Sequence, residues 1–515
     1  TGAYNLKVLS GGNISGATIL NNSGTTTLGD QTTDALTFAG GLTATSSSLL
    51  NLAGTIATTN NTMILGNSVL TTNTILQSGS GTITTGSVTG GAGIKLSLQN
   101  ITATGAVNLT GNVTVNQLET FGGNYAVNLT GSSNQISSGT ATTFLNTGGV
   151  TFGDSTTDVS TFTNGLIATA SGVTLAGTVA TTNSNMTLGT VSLSQNGTVK
   201  SGSGIITIAS VSGANKLSLQ DNTSNSRGLV VVNGTVNISQ IETFAQNYAV
   251  SLLGNSTITS ASTFNNTGAT TFGDGGTGVD TITFTGGLTA KAGAVNLNSK
   301  LVTTNNLLDI GAVTLAGNST LQSGTGTITV GSITDGANSY TLNLQDGSGA
   351  TSQGSVIFSG DVNVSAISTA GKIYAVSFQN NTTVDTATTF ANTAGVSFGK
   401  NASSLTTFTN GVTATAGSGT VGLAGSLKAT GQAINLGSAT LSINLISDAV
   451  IDSGNSSSAV ITLNAVNTNG KALSLNSGST TGATITVASV DSTAGGLTIV
   501  NAGGLVSFSG NVGGV

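Results

Sequence analysis

Apolar and polar residues alternate along this chain in short bursts and never gather into long apolar runs. "YAVNL", "GVTFG", "GVTLAG", "IITIAS", "KLSLQ" and "TVNIS" each set Val, Leu, Ile or Phe among Thr, Ser or Asn with a period of two. That period places the apolar set on one face of an extended strand. Gly, Asn and Asp fill the intervals, where turns use positive φ or local side-chain hydrogen bonds. Helix formers nowhere recur at the 3.6-residue spacing of a helix face. No segment approaches the roughly 20 apolar residues of a membrane-spanning helix. The pattern predicts an all-β chain of many short strands with no transmembrane segment.

The bursts recur over a longer distance. "TLGDQTTDALTFAGGLTAT", "TFGDSTTDVSTFTNGLIAT", "TFGDGGTGVDTITFTGGLTA" and "SFGKNASSLTTFTNGVTAT" place equivalent glycines at Gly29, Gly153, Gly273 and Gly399, intervals of 124, 120 and 126. Separate anchors keep the same period: Tyr4, Tyr125, Tyr248 and Tyr374; Leu98, Leu219, Leu344 and Leu475; and the phrases "ATTNN", "ATTNS" and "VTTNN". The chain is therefore four tandem units of about 123 residues, approximately 4–124, 125–247, 248–373 and 374–515. The phrases around Gly111, Gly234, Gly360 and Gly510 keep the period until the last interval, which is 150 in place of 126. An insertion of about 24 residues marks the size of one coil, so a unit holds five or six coils of about 20–24 residues.

Coils of that size predict a right-handed parallel β-solenoid, an elongated rod running continuously through 1–515 with about 23 coils and a length on the order of 110 Å. Phe38, Phe162, Phe284 and Phe408 share one register in it, as do Phe144, Phe264 and Phe390, and mark core layers. The alternative is a string of four β-sandwich domains, which usually carry a core Trp and Pro-rich or charged linkers. Trp and Pro are both absent. A chain of this length at about 5% Pro would hold roughly 26. Excluding all of them fits segments locked in hydrogen-bonded ladders, since Pro removes a ladder donor.

Composition narrows the chemistry. Charged residues make up 5% of the chain, His and Cys are absent, and the formal net charge is −6 over 515 residues. Ten Lys and Arg227 cannot form the basic stripe that nucleic acid requires. Without His or Cys, and with Glu119 and Glu242 the only Glu, Ser-His-Asp, Cys-His and most zinc arrangements are impossible. Arg227 and Asp221 stand six residues apart as isolated charges; the expectation is no enzyme. The remaining candidate is the "GD..TD" pair: Asp30 with Asp34 and Asp154 with Asp158, with Asp274 and Asp280 more loosely spaced. Carboxylates on a Gly-rich turn can hold Ca²⁺. Against that, the fourth unit reads "GKNASS" with Lys400 in place of the first Asp, and such an Asp can simply close its own turn. Thr rows in "GTITTGS", "GIITIAS" and "GTITVGS" are expected to recur once per unit and not once per coil.

Phrases such as "TFTGGLTA" and "LAGTVATTN" resemble the β-strand-repeat regions of very large bacterial surface proteins, similar in style to filamentous-haemagglutinin and autotransporter passengers. The resemblance covers the whole chain and implies export, residence outside the cell or on its surface, and a structural or adhesive role. Partners would then be other copies of the chain, or neighbouring surface proteins and glycans. Two functions follow as expectations: a rigid repeat rod of an adhesin or stalk, or a self-assembling subunit of a filament, sheath or surface layer. Both ends stand in mid-pattern, "YNLKVLSGG" and "SFSGNVGGV", which is the expectation for part of a longer chain.

Overall fold

Short alternating strands with Gly-rich corners between them wind into parallel coils. A computed structural model describes residues 2–275, 278–345, 354–415, 419–438, 440–491 and 495–513. No described residue is helical. The chain divides into two units, Thr1–Leu253 and Gly254–Val515, and each is a parallel β-solenoid; together they hold about 22 turns. The pairing of consecutive turns is parallel, with strands such as Ile83–Thr85 in register with Met63–Leu65 on one side and Val107–Leu109 on the other. All-parallel stacking rules out the sandwich alternative, whose sheets are antiparallel.

One turn has three strands and three faces. Thr25–Leu28, Ala35–Phe38 and Leu42–Ala44 form a turn. The next turn covers each in register: Thr26 lies against Leu50, Leu36 against Ile56, and Leu42 against Met63. Partners one turn apart are 18–29 residues apart, most often 20 or 24, as in Met63 with Ile83 and Ile83 with Val107. This is the coil size that the insertion in the fourth unit implied. In the third unit, Ser355–Phe358 lies ten strands after Asp280–Phe284. In the fourth, Val506–Phe508 lies 13 segments after Leu405–Phe408: 11 strands, with Thr420–Ala429 and Ser442–Asp452 each counted twice because each bends through a corner. The difference is three strands, one whole turn.

The sequence repeat does not match the turn. From Ala35–Phe38 to Val159–Phe162 there are 17 segments: 15 strands, with Leu49–Thr58 and Ser68–Gln77 counted twice as they bend through corners. From Asp280–Phe284 to Leu405–Phe408 there are again 17. Seventeen is not a multiple of three, so equivalent residues move round by one face per repeat. Phe38 stacks in the column that runs on to Lys95–Leu98, whereas Phe162 lies in the column of Val88–Gly90 and Val113–Val115. Sequence equivalence here is not spatial equivalence.

Inward residues fill the centre of the triangle. Phe144, Phe152 and Phe162 come from successive strands on the three faces and meet edge to face, with centroids 5.5–5.9 Å apart. Phe264, Phe272 and Phe284 repeat the arrangement at 5.5–6.0 Å. The two phenylalanine registers are thus two sides of one packed cluster. Burying each ring contributes about 2–3 kcal/mol, and each edge-to-face pair about 0.5–1.5 kcal/mol more. Outward positions are mostly polar: one face within residues 1–253 reads Ile64, Thr84, Asn108, Asn128, Thr151, Thr174 and Ser192 on successive turns. Asn128 Nδ2 donates to Asn108 Oδ1 at 2.8 Å. Each column is assembled from non-equivalent strands, so Thr84 is followed by Asn108 and Asn128, and the Thr phrases do not line up from turn to turn.

Candidate functional site

The four aspartates of the "GD..TD" pairs lie in corners. Asp34 Oδ2 accepts the main-chain N–H groups of Asp30 and Gln31 at 2.8 and 2.9 Å. Asp158 Oδ2 accepts those of Asp154 and Ser155 at 2.9 and 3.0 Å. The backbone bonds from Asp30 and Gln31 hold the Asp34 carboxyl below the usual range. In the third unit Asp280 Oδ2 accepts the Asp274 N–H at 3.3 Å, while residues 276 and 277 of that pair lie outside the described residues. In the fourth unit the Ser404 hydroxyl receives the Lys400 and Asn401 N–H groups. A neutral hydroxyl does the work of the second carboxylate, so that work is closing the corner. The corner is then capped by the next turn. Thr55, Thr178 and Ser426 donate their N–H to the carbonyls of Asp34, Asp158 and Ser404. Their neighbours Gly54, Gly177 and Gly425 have φ of 67°, 75° and 67°, and a Cβ there would lie 2.2–2.4 Å from the same carbonyls. The phrases "LAGT" and "LAGS" mark that contact.

The other repeat anchors stack in one corner column on four successive turns. In the first unit these are Thr58–Asn61, Ser78–Gly81, Leu98–Gln99 and Phe121–Tyr125. Asn60 Oδ1 accepts the Ser80 N–H. Gln99, buried with φ of 62°, accepts the Ser78 N–H and donates to Ser78 Oγ and the Gly105 carbonyl. Tyr125 donates its hydroxyl to the Leu98 carbonyl at 2.8 Å and accepts the Phe121 N–H at 2.7 Å. Tyr248 bonds Leu219 and Phe244 at 2.8 and 2.7 Å, and Tyr374 bonds Leu344 at 3.0 Å. The Tyr and Leu anchors of the sequence are thus bonded partners. Burial pushes Tyr248 up to about 12, and raises Tyr125 and Tyr374 as well.

In the second repeat this corner column opens into a groove of about 280 Å³. Thr161, Ala180, Thr182, Asn183, Lys200, Gly202 and Thr223 line it. Lys200 Nζ donates to Asp221 Oδ2 at 3.2 Å, both side chains about one-third exposed. Asp221 Oδ1 accepts from Thr223 N, Thr223 Oγ1 and Ser226 Oγ at 3.1, 2.6 and 2.7 Å. Partial burial opposes ionisation, but the Thr223 and Ser226 hydrogen bonds, helped by Lys200, outweigh it and bring Asp221 down to about 2. Arg227, six residues after Asp221 in the sequence, instead donates Nε to the Ser224 carbonyl at 3.2 Å. Sequence reasoning missed Lys200; the signal available was that Gln77 and Gln322 hold its place in two other repeats.

A second opening, of about 220 Å³, lies where Gln117–Thr120 meets Thr142–Thr143. There Thr120 Oγ1 accepts the Leu145 N–H in place of a ladder carbonyl. Glu119 at its edge is occupied by Ser97 Oγ and Lys95 Nζ at 2.7 and 2.9 Å. The equivalent Glu242 is held by Ser218 and Lys216 at 2.5 and 2.9 Å, one face further round. Comparison of the chain with protein-family models, with curated proteins and with solved structures found no match.

Proposed function

We propose that the chain is a non-enzymatic structural and adhesive module of a bacterial surface protein, working outside the cell. One observation carries this reading: what the repeats copy is the fold's own bonding. The recurring Tyr–Leu, Gln–Ser and Asp–turn contacts all join one turn of the solenoid to itself or to the next. A chain that multiplies such contacts gains length without needing a larger core, which is the requirement of a spacer or stalk.

Self-assembly into a filament or layer is the competing use. Packing of copies through one face favours a continuous apolar row, yet Ile64, Ile101, Leu145, Ile205 and Leu307, exposed between the first and last turns, lie on separate turns. Equivalent features also shift by one face per repeat, so no face offers the same motif to a neighbour at successive repeats. Scattered exposed apolar residues are ordinary for a protein surface.

The test is immunolabelling of intact source cells with antibody raised against this chain, paired with sedimentation of the isolated chain over a concentration series. Labelling of unpermeabilised cells and concentration-independent sedimentation are expected. Labelling that needs permeabilisation overturns the surface assignment. Growth of large species with concentration overturns the spacer reading in favour of the filament.

A further inference from the structure

We infer that the groove along Thr161, Asn183, Lys200 and Asp221 is a binding site for a neutral saccharide, recognised through a pair of vicinal hydroxyls. The first repeat has the same frame without the ion pair. In the first repeat the same positions are Thr37, Ala57, Thr58, Thr59, Asn60, Gln77 and Asn100. Asn100 closes its loop as Asp221 does, accepting from Thr102 N and Oγ1 at 3.0 Å each. The loop therefore has no need of a charge. Asp221 closes its own loop, but an exposed ion pair adds little stability, so the Lys200 charge set against it is not explained by the fold.

Their chemistry suits a diol. Lys200 spends one of its three N–H donors on Asp221, and Asp221 Oδ2 takes that single bond while Oδ1 takes three. One hydroxyl of a diol can accept from the ammonium while its neighbour donates to Oδ2, both through charge-assisted bonds. Thr161, Thr182 and Asn225 make no side-chain hydrogen bond among the described residues and line the same groove, offering further donors and acceptors. The groove follows the turns from Thr161 to Asp221, three steps of about 4.8 Å, long enough for more than one sugar ring. A ligand carboxylate would gain from Lys200 but be repelled by Asp221, which stays ionised throughout the physiological range; a neutral sugar meets no such conflict.

This proposal rests on the adhesive reading, yet it fails separately, since surface labelling of cells does not depend on it. The experiment is saturation-transfer NMR of the full chain against neutral methyl glycosides and their disaccharides, followed by titration of whichever binds. The double variant Lys200→Gln with Asp221→Asn installs the first repeat's own residues, so the fold has already accommodated both; circular dichroism verifies it. Expected are a dissociation constant of order 1 mM, at least a tenfold loss in the double variant, and a similar loss when one of the two ligand hydroxyls is methylated. No binding by any neutral glycoside, binding unchanged in the double variant, or tighter binding of the matching uronate would each overturn the assignment.

Discussion

Replacing Tyr248 by Phe removes one oxygen and unpairs two main-chain groups. The hydroxyl donates to the Leu219 carbonyl at 2.8 Å and accepts the Phe244 N–H at 2.7 Å, while the side chain is 1% exposed. Phe keeps the ring and its packing, so the loss is confined to polar satisfaction. A buried group left without a partner costs about 1–3 kcal/mol. The Leu219 carbonyl is fully enclosed and the Phe244 N–H partly so, giving about 2–4 kcal/mol together. A stacked-repeat protein does not melt as one cooperative unit, so a global melting temperature would blur a local effect. Amide hydrogen exchange reads it directly: the corner from Gln240 to Leu252 should exchange about 30- to 700-fold faster, with distant turns unchanged. The internal control is Tyr4→Phe, because Tyr4 is the same anchor but 59% exposed, and no change is expected there. Exchange in Tyr248→Phe within twofold of the parent would refute the view that these hydroxyls hold the corner column.

The remaining predictions use substitutions the chain itself has sampled. Phe152 is replaced by Leu28 in the first repeat, so Phe152→Leu should cost about 1–3 kcal/mol for the lost ring pairs and Phe152→Ala about 3–5 kcal/mol, measured by local exchange or denaturant unfolding. Asp158→Ser should be nearly neutral, as Ser404 closes the equivalent corner, whereas Asp158→Ala should cost about 1–3 kcal/mol; millimolar Ca²⁺ should leave the melting of the parent unchanged if Asp154 and Asp158 serve only the corner. On the alkaline side, Tyr248 is raised from 10.0 to about 12, so its contribution is complete below pH 10 and is lost as pH climbs through about 12. On the acid side, Asp221 is lowered from 3.8 to about 2, so its contribution is complete above pH 3.8 and is lost as pH falls through about 2. Circular dichroism across both limbs checks the two windows, and Asp221→Asn should flatten the acid one.

Much of the architecture was legible in one dimension. Alternation of period two identifies strands, because successive Cβ atoms of a strand point to opposite faces. The recurrence of Tyr125, Tyr248 and Tyr374 identifies the repeat, and the longer interval before Gly510 sizes the turn, because a solenoid accepts insertions only in whole turns if its ladders are to stay in register. The role of Asp34 and Asp158 could be weighed from Lys400 and Ser404 alone, since a site that tolerates such a replacement is a turn before it is a ligand set.

Other features had no one-dimensional signal. That Tyr125 bonds the carbonyl of Leu98, or that Phe144, Phe152 and Phe162 share one cluster, depends on which residues a turn brings together. Lys200 and Asp221 are 21 residues apart in sequence, and only the stacking of one turn on the next makes them a pair. Above all, the mismatch between a repeat of 17 segments and a turn of three decides where equivalent residues point, and neither number is written in the spacing of anchors. Periodicity along a chain records which contacts recur; the winding of the chain decides which face they recur on.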